Sequence, residues 1–313
     1  MTSIVLQTTN LVKRFGEVTA VDGLSLAVQE GEVFGFLGPN GAGKTTSISM
    51  MCGLLAPDSG TVTIRGTAIH NGDDVRTKVG VCPQSIVIWP FLTCIEQLIF
   101  IGEMYGLSAT VAKAHGEILL ETLGLSEKRN KLAKTLSGGM QRRLNLLLAL
   151  VHDPELVVLD EPEAGLDPQS RVLVREYIHS LARKKTIILT THNMDEAERV
   201  ADRVAIIDHG KLLAMDTPEQ LKRQYGKGDI LELDWMFLSE EQQTAIRNVF
   251  DGKFSFVSLT GNRLEVQERD IATKLPAILE VASHNGGAPS RIQLRENSLE
   301  DVFIAMTGRG LRE

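Results

Sequence analysis

The chain has 313 residues, enough for two domains or for one large domain with an appendage. Hydrophobic residues make up 43% and charged residues 23%, the balance of an ordinary soluble globular protein. The formal net charge of −7 argues against nucleic acid as the main partner, because nucleic-acid-binding surfaces are usually basic. Cys52, Cys82 and Cys94 form no C-x-x-C pair, so apolar filler in a reducing compartment is the expected role of each. The first residues lack a basic stretch followed by a long apolar core, and no run of 18 apolar residues occurs. Neither a secretory signal nor a membrane span is therefore expected, and any membrane role needs a partner chain.

In chain order, Ile4 to Gly35 alternate between short β-like runs and turns. "VFGFLG", Val33 to Gly38, is a compact apolar strand that feeds a glycine-rich turn, and "KTTSISMMCGLL" then reads as a helix broken by Gly53 and Pro57. "GTVTIRG" and "KVGVCPQ" are strands, the second ending in a loop marked by Pro83. Thr93 to Leu123 turns helical, with a break at Gly106 and Ser108. A further helix runs from about Met140 and is apolar along most of its length. "ELVVLDEP" is apolar without alternation, the pattern of a buried parallel strand. "SRVLVREYIHSLARK" is an amphipathic helix, while "TIILTTH" and "RVAIIDHGKLLA" supply more strands. Strands alternating with helices make this part an α/β domain around a mainly parallel sheet.

Beyond about Gly226 the pattern changes. "DILELDW", "EEQQTAIRNVF", "KFSFVSLT", "NRLEVQ", "ATKLPAILEVASHN" and "SRIQLRE" read β-α-β-β-α-β, a small ferredoxin-like α+β unit closed by a helix at "SLEDVFIAMTG". The expected division is a first domain over 1–225 and an accessory domain over 226–313.

Gly38-x-x-x-x-Gly43-Lys44-Thr45 is a complete P-loop placed between a strand and a helix. Its glycines let the backbone curl N–H groups towards phosphate oxygens, Lys44 adds charge at the β and γ phosphates, and Thr45 can ligate Mg²⁺. Asp160 and Glu161 end the buried strand, where such sheets bind nucleotides. Asp160 suits Mg²⁺ and Glu161 suits polarisation of an attacking water. His192 ends another strand, and the remaining histidines have no metal-ligand spacing. Gln84 can reach Mg²⁺ or the water. Ser137-Gly138-Gly139 opens the apolar helix with bare N–H groups, a second anion-binding end.

Together these stretches resemble the ATP-binding cassette (ABC) ATPase family. The P-loop is at 38–45, the Q-loop at Gln84, the signature "LSGGM" at 136–140, the acidic strand at 156–161, the D-loop "AGLD" at 164–167 and the switch histidine at His192. The resemblance spans about residues 4–225. It implies a P-loop cassette with a mainly parallel core sheet, an antiparallel β subdomain and a helical subdomain at about 85–150. It implies ATP contacts from Gly38, Pro39, Asn40, Gly41, Ala42, Gly43, Lys44, Thr45 and Thr46, with Mg²⁺ held by Thr45, Gln84 and Asp160. Phe15, in "KRFG", would stack on adenine, the alternative being a core position. Glu161, His192 and Gln84 would be catalytic.

The family's head-to-tail dimer also explains the second anion site: Ser137, Gly138 and Gly139 would cap the γ-phosphate bound by a second copy of the chain. Glu163 and Ala164 depart from the small polar residues usual after "DEP", and Glu163 is expected to point outward. The apolar segment around Trp89, Pro90 and Phe91 lies where the family receives a helix of the permease, the alternative being packing within the helical subdomain. The ending "LEDVF…TG" resembles ATPase subunits of bacterial drug-resistance and sodium-efflux exporters. That implies an ATPase peripheral on the cytoplasmic face of the bacterial cell membrane, driving separate integral-membrane permease subunits. An importer ATPase and a non-transport switch ATPase are the alternatives, and no nucleic-acid partner is expected.

Overall fold

In the computed structural model, residues 3–69 and 78–308 are described; the last residues of the expected accessory domain, 309–313, lie outside them. The chain divides into two compact units between Thr217 and Pro218.

The first unit opens with the antiparallel pair β1 (Ile4–Phe15) and β2 (Val18–Gln29). β3 (Val33–Leu37) then leads into α1 (Lys44–Met51). β4 (Ser59–Ile64) and β5 (Thr67–Ala68) complete a four-stranded antiparallel sheet in the order β2-β1-β4-β5. β6 (Val79–Cys82) enters a second sheet. Three helices follow: α2 (Cys94–Met104), α3 (Ala109–Thr122) and α4 (Gly138–Leu148). Thr93 starts α2 with a capping box, its hydroxyl accepting from the Glu96 N–H while the Glu96 carboxylate accepts from the Thr93 N–H.

β7 (Leu156–Asp160), α5 (Pro168–Leu181), β8 (Thr186–Thr191), α6 (Met194–Val200), β9 (Arg203–Asp208) and β10 (Lys211–Asp216) finish the unit. The second sheet runs β10-β9-β3-β8-β7-β6, parallel except for the β9–β10 pair. Every residue of β3, β7 and β8 is buried, which is why these strands are apolar without alternation. One apolar cluster joins β7 and β8 to α2, α4 and α5, and another joins the core sheet to α1 and the antiparallel sheet. Cys52, Cys82 and Cys94 are buried and unpaired, as apolar filler would be.

The second unit starts with α7 (Pro218–Tyr225), a helix that the sequence reading places in the first domain. It packs on α10 (Leu299–Thr307), burying Leu221, and the Asn297 amide donates to the Lys222 carbonyl at 3.2 Å. Between these helices come β11 (Asp229–Asp234), α8 (Glu240–Phe250), β12 (Phe256–Thr260), β13 (Arg263–Glu268), α9 (Ile271–Gly286) and β14 (Arg291–Arg295). The sheet is antiparallel in the order β12-β13-β11-β14, the arrangement of the βαββαβ reading.

Strand alternation decides its faces. Leu231, Leu233, Leu264 and Val266 form a core with Ile246 and Phe250 of α8 and Ile278 and Ala282 of α9. On the intervening positions Glu232 pairs with Arg263 at 3.2 Å and with Arg295 at 3.5 Å. Phe250 is fully buried, so Phe250→Ala should destabilise this unit by about 3–5 kcal/mol. A lowered urea midpoint for a probe in the second unit checks this.

Candidate active site

The register of the parallel sheet brings the site together. Leu37 of β3 lies beside Thr191 of β8, and Thr190 of β8 lies beside Asp160 of β7. The carboxyl ends of three strands thus meet where the P-loop begins. Gly41 and Gly43 take the left-handed backbone at φ 80° and 98°, which lets the loop curl back over α1. A Cβ on Gly43 would also lie 2.3 Å from the Ala20 carbonyl oxygen.

Lys44 is buried, and its Nζ donates to the Gly38 carbonyl at 2.7 Å and to the Pro39 carbonyl at 3.1 Å. Burial lowers its pKa from the ordinary lysine value, while the carboxylates of Glu161 and Asp160 pull the other way. The ammonium is therefore held at the loop, short of its full hydration, which suits a phosphate ligand.

Thr45 Oγ1 donates to Asp160 Oδ2 at 3.3 Å, and Thr190 Oγ1 donates to Asp160 Oδ1. Glu161 sits at φ 49°, uncommon for a residue with a Cβ, and its N–H is held by the Thr190 carbonyl at 3.1 Å. Its two side-chain oxygens are each engaged. Gln84 Nε2 donates to Oε2 at 2.9 Å, and His192 Nδ1 lies 2.9 Å from Oε1. The structure therefore brings Gln84, Asp160, Glu161, His192 and Thr45 into one hydrogen-bonded group.

A cavity of about 380 Å³ lies against this group, walled by Asn40, Gly41 and Gly43 to Thr46 of the P-loop together with Thr19, Gln84 and Glu161. Phe15 is 52% exposed at the end of β1, so the core alternative does not hold, and the cavity wall begins at Val18. Ser137 caps α4, its Oγ accepting from the Met140 N–H at 3.3 Å. Ser137 and Gly138 are exposed, and neither they nor Gly139 line the cavity of their own P-loop. A larger cavity of about 540 Å³ lies wholly in the second unit and touches none of these residues.

As a fit for Mg²⁺, Thr45, Asp160 and the free amide oxygen of Gln84 are the hard oxygen donors the ion takes. Among the described residues no cluster of three or more His, Cys, Asp or Glu could cage a metal by itself. Mg²⁺ that relies on phosphate oxygens and water suits so sparse a donor set.

Two features escape a reading of the sequence. His209 lines the cavity from the turn after β9. Arg142, on α4, is 3% exposed and makes five hydrogen bonds to carbonyl oxygens. Its Nη1 donates to Pro83 at 2.9 Å and to Gln84 at 2.6 Å; its Nη2 donates to Asp160 at 2.9 Å and to Glu161; its Nε donates to Pro162 at 3.2 Å. One guanidinium ties the Gln84 loop to the acidic strand end.

Glu163 also departs from expectation. It does not point to solvent: its side chain is 9% exposed, with Arg175 Nη2 3.2 Å from Oε2. The two guanidinium groups of α5 draw it inward, and it lines no part of the P-loop cavity.

A P-loop on a parallel sheet, with a paired carboxylate group at a strand end one strand away and a Ser-Gly-Gly helix start, defines an ATP-hydrolysing cassette. Comparison with known proteins agrees. Residues 21–164 match the ABC transporter family, and residues 217–307 match the C-terminal domain of DrrA1-3-like ATP-binding proteins. Linearmycin resistance ATP-binding protein LnrL of Bacillus subtilis is 39% identical, over 99% of this chain and 100% of that one. Nod factor export ATP-binding protein I of Burkholderia lata is 40% identical, over 97% of each chain. Among solved structures, an ATP-binding subunit of an ABC transporter shares 28% identity over 71% of this chain and 93% of that one, with a TM-score of 0.66. The ADP form of an ABC transporter cassette gives 29% over 71% and 94%, with a TM-score of 0.62. The chain belongs to the ATP-binding proteins of ABC transporters, of the DrrA-like type, and is an ATPase.

Replacing Arg142 by methionine keeps an unbranched apolar stem and removes every donor. Arg142→Met should cost about 3 kcal/mol of stability by stranding buried carbonyls, and should lower kcat by loosening Gln84 and Glu161 together. Thermal unfolding and steady-state ATPase rates on the same preparation check both effects.

Proposed function

We propose that the chain is the ATP-driven half of an exporter, and that two copies close head to tail around two ATP molecules. The observation that carries the catalytic part is the fixing of both Glu161 oxygens, by Gln84 and by His192, beside the P-loop cavity. Glu161 takes the proton of a water whose oxygen attacks the γ-phosphorus in line, while the bond to the β–γ bridging oxygen breaks. The Lys44 ammonium and the N–H groups of Gly41, Gly43, Lys44, Thr45 and Thr46 neutralise the charge that builds on the phosphate oxygens. Thr45, Asp160 and Gln84 would hold Mg²⁺, which when bound would supply further neutralisation there. Phe15, exposed beside the cavity, takes the adenine ring.

The placement of Ser137, Gly138 and Gly139 supports the dimer. They form an N-terminal helix end exposed to solvent and absent from their own nucleotide cavity, ready to meet the γ-phosphate on a facing copy. Loss of that phosphate then loosens the pair.

Coupling to a permease rests on the segment after Gln84. Val87 and Phe91 are exposed, Phe91 at 72%, together with Phe100 and Met104 of α2. Such exposed apolar residues suit a docking helix. Trp89 and Phe100 stack edge to face at 5.4 Å, and Gln97 Oε1 accepts from the Trp89 N–H at 2.9 Å, so the platform is held firm. No described helix is long and apolar enough to cross a membrane, and in this reading the span belongs to separate permease chains at the inner face of the cell membrane. Export, rather than import, is favoured by the DrrA-like second unit and by relatives whose names speak of resistance and of export.

The Glu161→Gln variant should bind ATP, fail to hydrolyse it and convert from monomer to dimer on size-exclusion chromatography with light scattering. Adding Ser137→Arg should abolish the conversion. ATP binding with a monomer in both cases would overturn the shared-site reading.

A further inference from the structure

A second cavity, about 220 Å³, shares Glu161 with the nucleotide cavity but none of the P-loop. Glu163, Arg171, His192 and Glu196 also wall it. Two carboxyl groups reach it from different elements, Glu163 from the turn after β7 and Glu196 from the first turn of α6. Their side chains are only 9% and 15% exposed.

Arg171 connects the parts. Its Nε lies 4.0 Å from Glu163 Oε2, its Nη1 lies 3.8 Å from Glu196 Oε1, and its Nη2 donates to the Leu166 carbonyl at 3.4 Å. One side chain of α5 therefore touches the turn after Glu161, the loop 164–167 and α6. Helix α6 begins directly after His192: Asn193 is its cap, and Asn193 Oδ1 accepts from the Glu196 N–H at 3.2 Å. What holds Glu196 holds the backbone that carries His192. The contacts of Arg171 are long, and the buried Nε atoms of Arg171 and Arg175 have no acceptor. A second arrangement of the same charges is therefore close at hand.

We propose that Glu163, Arg171 and Glu196 are positioning residues, through which loop 164–167 and α5 set the place of His192 beside Glu161. This rests on the catalytic roles given above to Glu161 and His192. The groups facing Glu196 are Glu161 and Glu163 from the turn, Arg171 and Arg175 from α5, and His192 from the end of β8. Burial first, and then the charge of Glu163, push the Glu196 carboxyl up to about 7, with Arg171 and Arg175 opposing. Below that pH the Glu196 carboxyl holds a proton; above it Glu196 carries a negative charge beside Glu163. Because the folded value is raised, this contribution to stability is full below the ordinary carboxylate range and is lost as pH rises through about 7.

The test is steady-state hydrolysis of Mg-ATP by the full chain from about pH 6 to about pH 9, with thermal unfolding on every sample. Arg171→Ala should lose about tenfold in kcat at near-constant KM, and Arg171→Lys should recover part of it. Wild-type kcat should fall as pH passes about 7, and Glu196→Gln should remove that fall and raise Tm more at alkaline than at acid pH. A wild-type kcat in Arg171→Ala, a loss accounted for by unfolded protein alone, or an unchanged pH profile in Glu196→Gln would overturn the proposal. Glu161→Gln separates the two levels. If it hydrolyses ATP at the wild-type rate, the catalytic reading itself falls. If it is inactive while the Arg171 and Glu196 variants match wild type, only the network falls.

Discussion

Two adjacent carboxylates at the end of a fully buried strand are the constraint on which the rest of the structure depends. In a parallel sheet covered on both faces, Asp160 and Glu161 have little water to lean on, and charges so placed must be met by donors. Thr45 and Thr190 meet Asp160; Gln84 and His192 meet Glu161; Arg142 meets the carbonyls of both. Those donors come from α1, β8, the loop after β6 and α4, so satisfying one strand end fixes the relative placement of most of the first unit. The left-handed backbone of Glu161 belongs to the same solution, because it turns the carboxylate aside from the strand axis towards Gln84 and His192.

Helix α4 faces two ways. Its start is bare, exposed and free of its own nucleotide, while one turn further on Arg142 is buried and tied to the carbonyls of residues 83, 84 and 160–162. Asn145 continues the contact, accepting from the Val87 N–H at 3.0 Å. Below that point Leu144 and Leu146 to Leu148 pack into the core and hold the helix rigid.

What could be read from the sequence was what is local. The P-loop glycines, the apolar run ending in Asp160 and Glu161, and the alternation in β11 and β13 are patterns within a few residues, set by backbone conformation and by burial. Arg142 could not be read, because its partners are carbonyls 18 to 59 positions away that carry no side-chain signature. Glu163 failed for a related reason: its direction is decided by Arg171 and Arg175, which lie on the next helix. The short α6 and α7 span too few turns for a period to show, and the compact unit that includes α7 begins before the sequence pattern changes. Trp89 and Phe91 stay divided between packing and docking in the sequence, since an apolar side chain spells the same in both roles.

Thr190 lies on β8, in the middle of the core sheet, and is fully buried. Its hydroxyl accepts from the Glu161 N–H at 3.1 Å and donates to Asp160 Oδ1, so the donors all point one way, from amide through hydroxyl to carboxylate. Such a chain has a polarity, and each link sharpens the next. Valine has the same shape as threonine and would fill the same space without a ripple in the packing. It would nonetheless remove both links at once and leave a buried amide with one acceptor fewer and a carboxylate oxygen without its donor. At this position volume carries no information, and the whole specification rests on a single oxygen atom.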